Sequence, residues 1–156
     1  MSISVEYFFN SHLDFATLTE AFVVKLGLPF LPYEGNRAEQ FCRLLGIELS
    51  LSSDHQLEND RDCNFSDYRF ELSSRTPVPD SDLRSMQIEM MAILAYAMHC
   101  RLDLQEGMLT FDLQTVLARY SVADDEWIDD ITATTVSFPK HLADLRTRVS
   151  RDGWVN

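Results

Sequence analysis

Long hydrophobic runs are missing from this 156-residue chain. The most apolar window, Met90 to Met98, falls well short of the roughly 20 residues that a helical span needs, so no transmembrane helix is expected. The N-terminus, MSISVEYFFNSHLDF, has no basic stretch before an apolar core and no small-residue cleavage site, so no secretory signal is expected either. Cysteine is scarce: Cys42, Cys63 and Cys100 are odd in number, widely spaced and without a C-x-x-C, which is neither a disulfide framework nor a zinc motif. Three reduced thiols, packed mostly as small hydrophobes in a cytoplasmic protein, are the expectation. Five glycines and five prolines exclude collagen-like and low-complexity chains. Basic residues are also few. With 13 Lys and Arg against 25 Asp and Glu, the net charge of −12 opposes binding to nucleic acid or to an anionic membrane surface. It permits a basic partner. Finally, G-x-S-x-G, the P-loop, G-x-G-x-x-G and H-E-x-x-H are all absent.

What is present is an ordinary globular composition, 46% hydrophobic and 24% charged, in a length that buries a core without disulfides or metals. Ile3 to Phe9 is β-branched and aromatic and reads as a strand. Leu13, Leu18, Phe22, Val23 and Leu26 follow near helical spacing, with Ser11 as a capping candidate and Gly27 at the C-terminal stop. The Pro- and Gly-containing stretch Leu28 to Asn36 reads as a loop, and Ala38 to Leu45 as a short helix ended by Gly46. Ile47, Leu49 and Leu51 alternate with polar residues, a half-buried strand. Phe65, Tyr68, Phe70 and Leu72 lead into a second strand, with Arg69, Glu71 and Ser73 facing away, so the pair forms a hairpin with a wide acidic tip.

Thr76 to Asp82 is a breaker with capping residues. Leu83 to Cys100 is the strongest helix, with Met86, Met90, Ile93, Leu94 and Ala97 at helical spacing and burial expected on most sides. Gly107 to Phe111 reads as a strand. Asp112 would then cap a helix carrying Leu113, Val116, Leu117 and Tyr120 on one face. Asp124 to Thr134 is acidic and irregular, Val136 and Phe138 are strand-like, and Pro139 opens a last helix with Leu142, Leu145 and Val149. The class is α+β: an antiparallel sheet with helices packed mainly on one face, one compact domain over residues 1–150 and a frayed tail at 151–156. The first half follows a split β-α-β-β-α-β plan, with strand order left open.

The negative charge is uneven. Residues 51–80 hold seven acids to three bases, and residues 111–130 hold six to one. Both stretches read as loops or tips: Asp54, Glu58, Asp60, Asp62 and Asp67 in the first, Asp124, Asp125, Glu126, Asp129 and Asp130 in the second. Each is either a solvated face or a recognition surface for a basic protein, since loops on a rigid scaffold carry recognition. Trp127, ringed by acids, is either an interface anchor or a core residue under its loop. We take as candidate partner-binding residues Glu58, Asp60, Asp62, Asp67, Asp124, Asp125, Glu126, Trp127, Asp129 and Asp130.

Catalysis, metals and cofactors have little to stand on. Asp60, Asp62, Asn64 and Ser66, with Glu71 at the twelfth position, echo a calcium loop, but Phe65 occupies the place of the required glycine. His12, His55, His99 and His141 share no ligand spacing. His99, at a helix end, suits capping or packing, where a cation would favour the dipole. Asp129 and Asp130 are adjacent and would diverge in extended chain, which does not suit paired acid–base work.

The segments PYEG (Pro32 to Gly35), LLGIELSL (Leu44 to Leu51), LEND (Leu57 to Asp60), DYRFEL (Asp67 to Leu72), GMLTFDLQTVLARY (Gly107 to Tyr120) and FPKHLADL (Phe138 to Leu145) span most of the chain. In this layout the chain resembles immunity proteins of bacterial polymorphic toxin systems, the small antidotes encoded beside contact-dependent or secreted toxins. The resemblance implies a non-enzymatic protein, without cofactor, that binds one cognate toxin domain and blocks it. Many such toxins are basic and attack nucleic acids, which suits an acidic antidote. It carries over no contact residues. Two other readings stand beside it: a small enzyme, with polar groups converging near Asp112, His99 and Tyr120, and a structural or regulatory subunit of a larger complex.

Overall fold

A computed structural model describes residues 3–33, 35–76, 81–123, 126–129, 134–135 and 138–152. In chain order the elements are β1 (Ile3–Phe9), α1 (Phe15–Leu26), β2 (Leu31–Tyr33), β3 (Asn36–Leu44), β4 (Ile47–Ser52), β5 (Phe70–Thr76), α2 (Ser81–Leu102), β6 (Glu106–Phe111), β7 (Thr115–Ala123), β8 (Glu126–Asp129), β9 (Thr134–Thr135) and α3 (Phe138–Asp152). The strands form one antiparallel sheet in the order β2-β3-β4-β5-β1-β6-β7-β8-β9. The fold is therefore α+β. Its centre is a pair of interlocked split β-α-β units: β5 lies between β1 and β4, and β1 between β5 and β6.

One face of the sheet is the hydrophobic core. Val5, Tyr7, Phe9, Leu49, Leu51, Phe70, Leu72, Leu109 and Ala118 meet Leu18 and Phe22 of α1, Ile88, Met91, Ala92, Ala95 and Met98 of α2, and Leu145 of α3. Alternation along each strand sends the other set of side chains to the opposite face. No helix covers that second face at its centre. The β4–β5 connection folds back over it instead, with Cys63, Phe65 and Tyr68 packed on Phe8 and Met108. The expected acidic hairpin tip is thus a folded cover.

Two tyrosine–histidine pairs lie inside the helix-covered core. The Tyr7 hydroxyl is hydrogen-bonded to Nε2 of His99, whose Nδ1 donates to the Leu104 carbonyl at 2.9 Å. Burial pulls the His99 pKa down to about 4, so the ring is neutral and the cation expected at this helix end is not formed. Tyr120 Oη lies 2.6 Å from His141 Nε2. Gly107 makes room for this arrangement: a Cβ there would sit 2.0 Å from the Tyr7 hydroxyl oxygen.

Several elements differ from the sequence expectations, each for a local reason. Ala38 to Leu44 are strand rather than helix, because Leu45 and Gly46 both take positive φ (52° and 80°) and join β3 to β4 in a two-residue hairpin. Part of the expected loop before it, Leu31 to Tyr33, pairs with β3 as the edge strand. The expected helix after Asp112 is β7. Leu109 faces Ala118 while Thr110 faces Val116, so Leu117 is an extra, bulged residue. The bulge puts neighbouring Leu117 and Ala118 both in the core, and the broken alternation of Leu113, Val116, Leu117 and Tyr120 imitates a helical face.

Asp14, not Ser11, caps α1, accepting from the Thr17 N–H at 2.8 Å, while Gly27 ends the helix at φ 69° as expected. On α2 the buried face is Gln87, Ile88, Met91, Ala92, Ala95, Met98, His99 and Leu102, one position off the expected stripe. Met86 and Ile93 are exposed (54% and 46%). The helix is apolar all round, and Gln87 selects its inward side by donating to the Ser74 carbonyl and hydroxyl at 2.9 Å. Glu126 to Asp129, within the stretch expected to be irregular, pairs with β7 as a strand. Phe138 begins α3, which runs to Asp152; residues 77–80, 136, 137 and the tail from 153 lie outside the described residues.

Candidate functional site

The second face carries the polar residues, and the strand register arranges them in rows. Glu39, Ser52, Glu71, Phe8 and Met108 lie across β3, β4, β5, β1 and β6. The next row is Phe41, Ser50, Ser73, Glu6 and Thr110, and the next Arg43, Glu48, Arg75 and Ser4. A cleft of about 200 Å³ opens over the first rows, lined by Glu39, Ser50, Ser52, Asp54, His55, Glu71, Ser73 and Arg75. Cross-strand neighbours on the sheet form most of it, and the connection after β4 contributes Asp54 and His55.

Its carboxylates are crowded. Burial, then the nearby charges of Glu6 and Glu39, push the Glu71 pKa up to about 7 against the opposing pull of Arg75. Among the described residues nothing donates a hydrogen bond to Glu71. Glu6 is fully buried and raised too, chiefly by burial. Its Oε2 accepts from Thr110 Oγ1 at 2.7 Å and from the Leu113 N–H at 3.2 Å, but its Oε1 has no partner among the described residues. Glu39 accepts from Ser50 Oγ at 2.6 Å. Such carboxylates can hold a cation or exchange a proton near neutral pH.

The cover over this face is pinned at both ends. His55 Nε2 donates to the Tyr68 carbonyl at 2.7 Å, and its Nδ1 accepts from the Leu57 N–H at 3.1 Å. Asn10 binds the Asp67 carbonyl and the Arg69 N–H at 2.8 Å each. Arg119 of β7 reaches Asn64 Oδ1 and the Asp62 carbonyl. The buried Cys63, Phe65 and Tyr68 hold the middle. All these contacts leave the acids outward.

Of the residues proposed from sequence, Glu58, Asp60, Asp62 and Asp67 are exposed together on this cover, with Asp54. Glu126, Trp127 and Asp129 stand on β8, where Asp129 faces Tyr120, next in sequence to the Arg119 that holds the cover. Asp124, Asp125 and Asp130 lie outside the described residues. The residues suggested for a small enzyme do not converge in a cleft: His99 and Tyr120 are buried beneath the helices, while Asp112 sits at the far end of the sheet, accepting from the Ser4 N–H at 2.9 Å. Of the calcium-loop residues, Asn64 is engaged within the cover by Arg119 and Asp67. Among the described residues, no cluster of His, Cys, Asp or Glu is placed to hold a metal ion.

Sequence reasoning missed Glu6, Glu39 and Arg75, treated Ser73 as a solvent-side residue, and weighed Glu71 as solvent-side and as the twelfth position of a calcium loop. The available signal was Glu6 itself, a lone carboxylate in the apolar run ISVEYFF. No family model, curated protein or solved structure significantly matches this chain. No helix among the described residues is long and apolar enough to cross a membrane.

Proposed function

We propose that this protein is a binding module that neutralises a basic partner domain, as the resemblance to immunity proteins of polymorphic toxin systems implies, and that it does no chemistry of its own. The observation that carries the reading is the anchored cover, which exposes Asp54, Glu58, Asp60, Asp62 and Asp67 from one folded segment. A surface ordered before binding loses little conformational entropy on association. Its charge speeds encounter with a cationic partner and disfavours acidic ones. The net charge of −12 extends the same field over the molecule.

The test is growth. The C-terminal domain encoded immediately upstream is expressed with and without this protein. Toxicity alone and rescue by this protein support the reading, and a harmless domain or absent rescue overturns it. With the purified pair, the triple variant Glu58→Lys, Asp60→Lys, Asp62→Lys is expected to bind at least tenfold more weakly at low salt and to lose most of its salt dependence.

A further inference from the structure

We propose that the cleft between Glu39 and Glu71 is a receptor for a single arginine side chain of the partner. This deepens the neutralisation reading and rests on it for the identity of the partner. Size limits the ligand first. About 200 Å³ is below the roughly 300 Å³ at which pockets for drug-sized molecules begin, but it admits the head of one long side chain. The lining limits the chemistry next. Among the described residues of the lining, the carboxylates of Glu39, Asp54 and Glu71 outnumber the one cation, Arg75, and the hydroxyls of Ser50, Ser52 and Ser73 can accept as well. Glu71 receives no hydrogen bond from any described residue, and the unpartnered Oε1 of buried Glu6 belongs to the next row of the same face. A donor-rich planar cation answers that deficit: a guanidinium presents five N–H groups in a fork that spans two carboxylates. Exposed Asp54, the first acid of the cover, lines this cleft, so the cover's charged surface begins at the specific contact.

The groups facing Glu71 are Glu39 from β3, Asp54 and His55 from the cover, Glu6 from β1 and Arg75 on its own strand. An entering guanidinium favours the ionised form of Glu71 and so expels a proton near neutral pH.

The probe is N-acetyl-arginine methylamide, titrated into the full chain while the glutamate carboxyl carbons are followed by NMR. Saturable millimolar shifts at Glu39 and Glu71 are expected, with the Glu71 midpoint moving down by about one pH unit. The citrulline analogue, equal in shape but neutral, is expected to do nothing. Glu71→Gln is expected to weaken arginine binding at least tenfold while the amide spectrum stays folded. Unmoved glutamate signals, equal response to citrulline, or unchanged affinity in Glu71→Gln would each overturn the proposal. Because the probe needs no partner, the two readings separate: shifts with a harmless upstream domain keep the cleft and sink the partner, and rescue in cells without shifts does the reverse.

Discussion

On the helix-covered face of the sheet, two buried tyrosines pair with two buried histidines, Tyr7 with His99 and Tyr120 with His141. On the opposite face, burial raises the pKa of both Glu6 and Glu71, and the charge of Glu6 raises that of Glu71 further. The first arrangement gives these rings hydrogen-bond partners inside a closed core, where Gln87 Oε1 is the exception among the described residues of that face. The second leaves acceptors short of donors in an accessible cleft, which weakens the fold in exchange for a surface ready to take a cation. Stability and recognition are thus divided between two sides of the same strands, because alternating residues of one strand serve both.

The largest expected effect tests the closed face. Gly107→Ala drives a methyl into the Tyr7 hydroxyl, which His99 holds in place. Overpacking of this kind costs about 3 kcal/mol, and a urea midpoint lowered with an unchanged slope would show it. A near-neutral result would mean that Tyr7 swings freely.

Next, the two faces predict opposite pH dependences. His99, held at about 4 against an ordinary 6.5, contributes stability that is complete above pH 6.5 and is lost as pH falls toward 4. Glu71, at about 7 against an ordinary 4.5, contributes stability that is complete below pH 4.5 and is lost as pH rises through 7. Between pH 4.5 and 6.5 the two slopes oppose each other. Glu71→Gln removes the falling limb. Its stability is expected to rise with pH across that window and to exceed the parent by about 2–3 kcal/mol at roughly pH 7.5. Parallel profiles of the two proteins would show that Glu71 titrates as an ordinary surface acid.

A smaller effect separates the cover from the core. Arg119→Ala removes the ties to Asn64 and the Asp62 carbonyl. A loss of about 1–2 kcal/mol is expected, with faster hydrogen exchange in residues 59–68 and none added in α2. Smallest of all, Asp60→Lys with Asp62→Lys alters exposed side chains that anchor nothing in the cover. Stability is expected within about 0.5 kcal/mol of the parent, while partner affinity falls.

Where local pattern and fold agreed, the sequence was readable. Ile3 to Phe9 and Ile47 to Leu51 show strand periodicity, and Gly27 ends α1 in the left-handed conformation that glycine favours. β7 was not readable, because the bulge at Leu117 gives a strand the spacing of a helix. The α2 face was not readable either: a helix apolar all round carries no stripe, and Gln87 is oriented by distant partners, Ser74 on β5 and the Ile3 carbonyl on β1. Of the site, the exposed acids of the cover were visible as a charge cluster, whereas the cleft depends on a register joining residues far apart in the chain, such as Glu39, Glu71 and Glu6.

Composition and local pattern alone determined an acidic chain whose apolar residues suffice for one α+β core, with no catalytic signature to suggest chemistry. Tertiary structure decided which face the helices close, how residues 53–69 fold over the other, and which carboxylates share a cleft. Those outcomes follow from strand order and cross-strand contact, which are energies between distant segments and leave no trace in the spacing of neighbours.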